Sequence, residues 1–388
     1  MSESRLLMIP GPIELEPSVL AALGAKTTSH LDPAFMTAFG RALRNVREVV
    51  RAPSAQPFVV AGSGTLAMEM AVANLVEPGD CALVVNSGYF GDRIGKILER
   101  HGASVIHLRA APGDVAEAAE VEAVLASTPC KLMCVTHVDT STGVRTDVAA
   151  YARVANAHGV LSIVDGVCSV GGELLEQEAW GVDVVFTASQ KALGAPPGLA
   201  VLSVSPRAMT AFRARKKPVA AVYVDFAEWL PIMEAYEHEK PAYFATPAVN
   251  LVAALDVSLQ ALVRETMPAR VARHERMAEA FRAAWTALEL RPLPVRAELE
   301  ASTLSALYYP DGLDASLVAA VRDEGVVIAG GLHPDLRARY FRVGHMGATG
   351  AGEVLTTVGA VARALAKRGH NGDPSAAVAA AEHALAPR

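Results

Sequence analysis

The chain has 388 residues, more than one hydrophobic core usually supports, so a large unit with a smaller companion is expected. Its 52% apolar and 20% charged residues are ordinary globular values and argue against disorder, while a net charge of −6 and only 5% aromatics argue against nucleic-acid binding. Small molecules are the expected partners.

Met1 to Ile9 lacks the basic, apolar pattern of a secretory leader, and no window reaches the roughly 18 apolar residues of a membrane span. No membrane association and a cytoplasmic location are expected. The last residues, Ala386-Pro387-Arg388, carry no peroxisomal address. Cys81, Cys130, Cys134 and Cys168 show no metal-ligand spacing, so no metal site is expected and all four read as small buried hydrophobes.

Between residues 57 and 205, short apolar runs alternate with helical patterns, the signature of parallel βαβ units. Strands are predicted over Phe58 to Ala61, Cys81 to Val85, Ser104 to Leu108, Leu132 to Thr136, Leu161 to Val164, Val182 to Phe186 and Leu199 to Val204. Apolar residues near a 3.6 period predict helices over Gly64 to Val76, Phe90 to His101, Val115 to Ala126 and Asp147 to His158. The fold class is therefore α/β, with a mainly parallel seven-stranded sheet whose ligands should lie off the carboxyl ends of the strands. From Pro247 the pattern changes to long helices, Ala248 to Glu265 and Ala269 to Leu288, then to an α+β segment with strands Leu304 to Tyr309, Val326 to Ala329 and Tyr340 to Val343. Gly369 to Pro374 reads as a linker and Ala376 to Leu385 as an alanine-rich helix of unassigned purpose. The expected organisation is an N-terminal arm over 1–15, a large unit over 16–262 and a small C-terminal α+β unit over 263–388.

The strand ends carry the chemistry. Ala61-Gly62-Ser63-Gly64-Thr65-Leu66 runs from a strand through glycines into a helix, which makes an anion cradle from backbone N–H groups. It also fits the dinucleotide fingerprint, but that fingerprint needs an acid at the end of the next strand, where Asn86-Ser87 stands instead. The following loop offers Phe90 as a surface for a flat ring, although packing alone also accounts for a loop aromatic. His137 to Gly143 is rich in hydroxyls that could bond a ligand or serve a turn. Asp165 ends an apolar strand, where a carboxylate is costly without a partner. Lys191 follows the next strand; a snorkelling side chain is the bland reading, while a lysine of depressed pKa in the same crevice suits Schiff-base chemistry. Together these features match what pyridoxal phosphate requires: a phosphate site, a ring face, a partner for the ring nitrogen and an amine.

On these residues the chain resembles the alanine:glyoxylate and serine:pyruvate aminotransferases, class V enzymes of the fold-type-I pyridoxal-phosphate superfamily. The likeness runs from Ile9-Pro10-Gly11-Pro12 to Arg342-Val343-Gly344-His345-Met346-Gly347. It is nearest the fungal-type alanine:glyoxylate enzymes through Thr136 to Thr142, Ala188-Ser189-Gln190-Lys191-Ala192, Tyr243-Phe244-Ala245-Thr246-Pro247 and Val327 to Gly331. The resemblance implies pyridoxal 5'-phosphate as cofactor, with Lys191 as the Schiff-base lysine and Asp165 beside the ring nitrogen. It implies Gly64, Thr65 and Gln190 at the phosphate, Thr140 at the phenolic oxygen, Phe90 against the ring, where relatives carry a stacking tryptophan, and Ser63 and Val167 as further cofactor-binding residues. Arg342, with Gly11 and Ser169, would meet the substrate, and Tyr243 with Thr246 would reach the neighbouring subunit of a homodimer. The implied reaction is a ping-pong transfer from a small amino acid to a 2-oxo acid, alanine to glyoxylate first, with serine:pyruvate, serine:glyoxylate and pyridoxamine:pyruvate exchange as alternatives. A cysteine desulfurase would need a reactive cysteine near the small unit, yet all four cysteines precede residue 169. A nicotinamide-dependent dehydrogenase on the Gly62 turn is the reading from another class, and a non-catalytic binder of pyridoxal phosphate is the third.

Overall fold

The computed structural model describes residues 5–386; residues 1–4 of the expected N-terminal arm and the last two residues lie outside them. The chain lays down fourteen strands in order: β1 (Leu6–Leu7), β2 (Gln56–Ala61), β3 (Cys81–Asn86), β4 (Ser104–Arg109), β5 (Leu132–Thr136), β6 (Val138–Asp139), β7 (Val144–Arg145), β8 (Leu161–Asp165), β9 (Val184–Ala188), β10 (Leu199–Val204), β11 (Leu304–Tyr308), β12 (Val326–Val327), β13 (Ala329–Gly330) and β14 (Tyr340–Gly344). Seven of them form one sheet in the order β2-β10-β9-β8-β5-β3-β4. β10 runs antiparallel to both its neighbours and the other pairings are parallel. β5, β8, β9 and β10 are buried along their whole length, which is why they read as unbroken apolar runs rather than as alternating strands.

Six strands thus point the same way, and the loops after β2, β3, β5, β8 and β9 converge at one edge of the sheet. This is the crevice where an open α/β sheet binds its ligand. The helix Pro33–Val50, absent from the sequence expectations, buries Phe35, Phe39, Leu43 and Val46, with Phe39 and Tyr236 4.6 Å apart between ring centroids. Thus β2 is an edge strand in pairing yet buried by helices. The strand expected over Val182 to Phe186 begins and ends two residues later, at β9, because Asp183 is fixed before it: its carboxylate accepts from Ser162 N at 2.9 Å and from Arg207.

Beyond residue 266 a second core gathers around Phe281, Trp285, Phe341 and Val358. Its sheet is β11-β14-β13, fully antiparallel. The run expected as one strand over Val326 to Ala329 is split: β12 pairs with β1 at the N-terminus, whereas β13 pairs with β14. The alanine-rich helix Pro374–Leu385 packs on the helix Met267–Ala287, with Ala377 and Ala381 fully buried; small side chains at the contact allow close approach of the two axes. Among the described residues no helix is long and apolar enough to cross a membrane.

Candidate active site

The helix Gly64–Leu75 starts directly after the β2 loop, and the N–H groups of its first turn have no intrahelical partner. Ser63 makes no side-chain cap, so these donors stay aimed at the crevice. A Cβ on Gly64 would stand 3.0 Å from Val167 Cγ2 and 3.3 Å from Ala188 Cβ, so glycine keeps the floor of the cradle clear. Ser63 and Thr65 are exposed at its rim. Gln190, arriving from the far side after β9, holds a buried Oε1 without a hydrogen-bond partner. Unspent donors and a cleared floor fit a phosphate group, which Gln190 would meet through its amide N–H, since Oε1 only accepts.

Phe90 lies in the first turn of the helix Tyr89–Arg100. The residue that sets it there is Asp139, in the short hairpin β6–β7: Asp139 Oδ2 accepts from Phe90 N at 3.2 Å, and Oδ1 accepts from Ser141 N at 2.8 Å and Ser141 Oγ at 2.5 Å. Ser141 Oγ in turn accepts from Tyr89 N at 3.1 Å. A buried carboxylate thus caps a helix belonging to a neighbouring strand's loop, a role not foreseen from sequence. Burial raises the pKa of Asp139, offset by its hydrogen bonds from Ser141 and Phe90.

Asp165 ends β8 and is 3% exposed. Val167 N donates to its Oδ1 at 2.9 Å. Burial pushes its carboxyl up to about 7; the Val167 bond and the charges of Lys191 and Arg93 pull it down, and Asp139 pushes it further up. A cationic ring nitrogen is the partner this carboxylate lacks.

Lys191 follows β9 in a turn closed by Gly194 N donating to Lys191 O at 2.8 Å. Its Nζ donates to Pro10 O, and a Cβ on Gly11, whose φ is +93°, would lie 2.5 Å from Lys191 Cδ and 2.6 Å from Nζ. The Pro10-Gly11 segment can therefore cross the lysine only with glycine at that position. Burial lowers the pKa of Lys191; the neighbouring Cys168 and Asp165 raise it and Arg342 lowers it. Cys168 is buried beside the Lys191 amine, and Cys81 is only half-buried, with its Sγ 2.9 Å from Cys130 Sγ. The expectation of small buried hydrophobes is corrected at Cys81 alone.

Arg342 occupies the central strand β14 of the small sheet, facing Ala306 on one side and Ala329 on the other. Its Nε donates to Gly330 O at 2.9 Å and its Nη1 to Thr140 O at 2.8 Å. Two carbonyls fix the fork and leave Nη2 without a partner among the described residues, the geometry for receiving a carboxylate. Ser169 Oγ is buried and without a partner. Ile13, Val138, Cys168, Ala192, Leu304 and Met346 form a small apolar cluster adjoining Lys191 and the β5–β6 loop.

The structure thus brings Ser63, Gly64, Thr65, Phe90, Thr140, Asp165, Val167, Ser169, Gln190, Lys191, Gly11 and Arg342 to one edge of the sheet. It does not bring Tyr243 and Thr246 there. Both are exposed, neither has a hydrogen-bond partner among the described residues, and Tyr243 rests only on the His30 ring at 5.5 Å. Sequence reasoning also passed over Arg93, whose guanidinium carbon lies 4.9 Å from the Tyr89 ring centre and 5.1 Å from that of Phe90.

A family model described as aminotransferase class-V matches residues 17–341. The chain is similar to alanine--glyoxylate aminotransferase 1 of Saccharomyces cerevisiae, 38% identical over 364 residues that cover 90% of this chain and 94% of the yeast protein. Among solved structures it is similar to an alanine--glyoxylate aminotransferase from Nostoc sp., with a TM-score of 0.89, 32% identity and coverage of 94% of this chain and 96% of that one. It is also similar to pyridoxamine-pyruvate aminotransferase from Mesorhizobium loti, with a TM-score of 0.92, 28% identity and coverage of 99% and 97%.

Proposed function

The chain belongs to the class-V aminotransferase family and is a pyridoxal-5'-phosphate-dependent transaminase of amino and 2-oxo acids, and on that premise we propose that it moves the amino group of L-alanine to glyoxylate, giving pyruvate and glycine. The observation that carries the reading is the fixed fork of Arg342, whose charge reaches Lys191, with a small apolar cluster beside them.

When bound, pyridoxal 5'-phosphate supplies an aldehyde that reacts with amines and a ring that withdraws electrons from the substrate's Cα. Arg342 grips the substrate carboxylate through its free edge and so orients Cα towards Lys191. Lys191 would take the Cα proton on Nζ and hold it for return; burial, by favouring its neutral form, suits it to this task. Asp165 would balance positive charge at the ring nitrogen, and Phe90 and Val167 would border the ring. Ser63, Gly64, Thr65 and Gln190 would hold the phosphate. Thr140 would meet the phenolic oxygen, and Gly11 and Ser169 would border the substrate.

The same proposal includes a homodimer in which Tyr243 and Thr246 serve the partner's site. Support comes from Tyr243, 66% exposed and the most exposed of the large hydrophobic residues described, next to an exposed Thr246 without a partner. Purified protein should be yellow, lose that absorbance with alanine and regain it with glyoxylate. Donor panels against glyoxylate and pyruvate then test the substrate pair: faster turnover with serine or pyridoxamine than with alanine would replace it. A colourless protein without a borohydride-trapped adduct on Lys191 would remove the reading altogether.

A further inference from the structure

Arg93 sits one helical turn beyond Phe90, on the face that Phe90 presents to the crevice. Its Nη1 donates to Thr65 Oγ1 at 3.1 Å and its Nη2 to the Tyr89 hydroxyl at 3.0 Å. The guanidinium also lies within cation–π distance of both the Tyr89 and Phe90 rings, so contacts with three residues fix one charged group at the mouth of the cradle. No carboxylate pairs with it among the described residues, although Asp92 and Asp165 both lie nearby; Asp92 is bonded to Arg109 and Asn86 instead.

Charge arithmetic gives that placement a purpose. A phosphate monoester carries about −1.5 to −2 at neutral pH. The residues that form the cradle, Ser63, Gly64, Thr65 and Gln190, are all neutral, and a helix N-terminus offers the equivalent of about +0.5. About 1 to 1.5 negative charges are left over, and the guanidinium on Thr65 is the cation placed to meet them. The hydrogen bond adds direction: by accepting from Arg93, Thr65 Oγ1 is left with its own proton free to donate into the cradle.

We propose that Arg93 is a cofactor-binding residue, the cation that completes the phosphate site by its own charge and by turning the Thr65 hydroxyl towards the phosphate. The proposal rests on the reading of the cradle as the seat of pyridoxal 5'-phosphate. The test compares that cofactor with pyridoxal, which has the same ring and aldehyde but no phosphate, in titrations of cofactor-free wild type, Arg93→Met and Arg93→Lys, followed by absorbance. Arg93→Met is expected to weaken pyridoxal 5'-phosphate about 10- to 100-fold, the scale of a lost hydrogen bond to a charged group, and pyridoxal less than about twofold. Arg93→Lys, which keeps the charge, should recover part of the loss, and inorganic phosphate should compete for the cofactor more weakly in Arg93→Met than in wild type. Equal weakening of both ligands would overturn the proposal and reduce Arg93 to a support for the aromatic pair, as would unchanged affinity for both. If Arg93→Met does not fold, Arg93→Lys decides: it must discriminate between the two ligands more than threefold better than a Thr65→Val, Arg93→Lys double variant. Failure of wild type to bind either ligand would instead strike the underlying reading of the site.

Discussion

Replacing Asp165 with Asn tests the electrostatics of the site without any substrate. In the cofactor-free protein burial lifts the Asp165 carboxyl from its ordinary 3.8 to about 7, so between those pH values the folded chain keeps a proton that the unfolded chain has released. The folded pKa is raised, so the associated stability is fully present below about pH 4 and is lost as pH rises through about 7. Three units at 1.36 kcal/mol each make the loss about 4 kcal/mol. Asn cannot ionise, the raised carboxyl of Glu173 remains in both proteins and cancels in the difference, and Asp139 cancels except for its repulsion of Asp165, which is part of the loss being measured. Urea unfolding of both cofactor-free proteins, followed by tryptophan fluorescence from pH 4.5 to 8.5 at fixed ionic strength, should show wild type losing stability relative to Asp165→Asn up to about pH 7 and then running parallel to it. Added cofactor should restore more stability to wild type than to the variant at pH 8, because the ring nitrogen gives the carboxylate a partner. A stability difference independent of pH would refute the argument, since it would mean that Asp165 is already ionised in the empty crevice.

Three further substitutions address separate parts of the site. Arg342→Lys keeps the charge but loses the fork, so kcat/KM for both amino donor and oxo acid should fall about 10- to 100-fold while the cofactor absorbance stays unchanged; steady-state kinetics beside a spectrum checks both halves. Gly64→Ala places a methyl against Val167 and Ala188 in a filled floor, and cofactor titration should show about 1–3 kcal/mol of lost affinity. Asp139→Asn puts an amide among donors, so the bonds to Ser141 and Phe90 cannot all be kept; a loss of about 1–3 kcal/mol in thermal unfolding and a weaker circular-dichroism band from the bound ring are expected, whereas an unchanged band would show that Asp139 does not position Phe90.

The parallel sheet was legible because β5, β8 and β9 are enclosed on both faces and so had to be written in apolar residues, and each ends in or is followed by a polar residue that apolar packing does not explain. Lys191 and Asp165 stood out for that reason. The helix Pro33–Val50, though strongly amphipathic, precedes the βα alternation that starts at residue 57 and so has no neighbouring strand pattern to mark it. The split of Val326 to Gly330 into β12 and β13 was not legible at all: five residues of similar character divide because the N-terminal segment pairs with the first two, a contact more than 300 residues away in sequence.

The same distinction separates the residues found from those missed at the site. Lys191, Asp165 and Arg342 carry charge where a strand ends or lies in a sheet, which makes each anomalous in one dimension. Asp139 and Arg93 are unremarkable in one dimension, an acid in a polar turn and a base on a helix. Their meaning arises only when β3 and β5 become neighbours, which sets the hairpin under the start of the helix Tyr89–Arg100 and the guanidinium over Thr65. The chemistry of the transfer is therefore written locally at strand ends, whereas the posture of Phe90 and the charge at the cradle are written across strands. Substitutions of the first kind should abolish turnover with the fold intact, and those of the second kind should first be felt in how the cofactor is held.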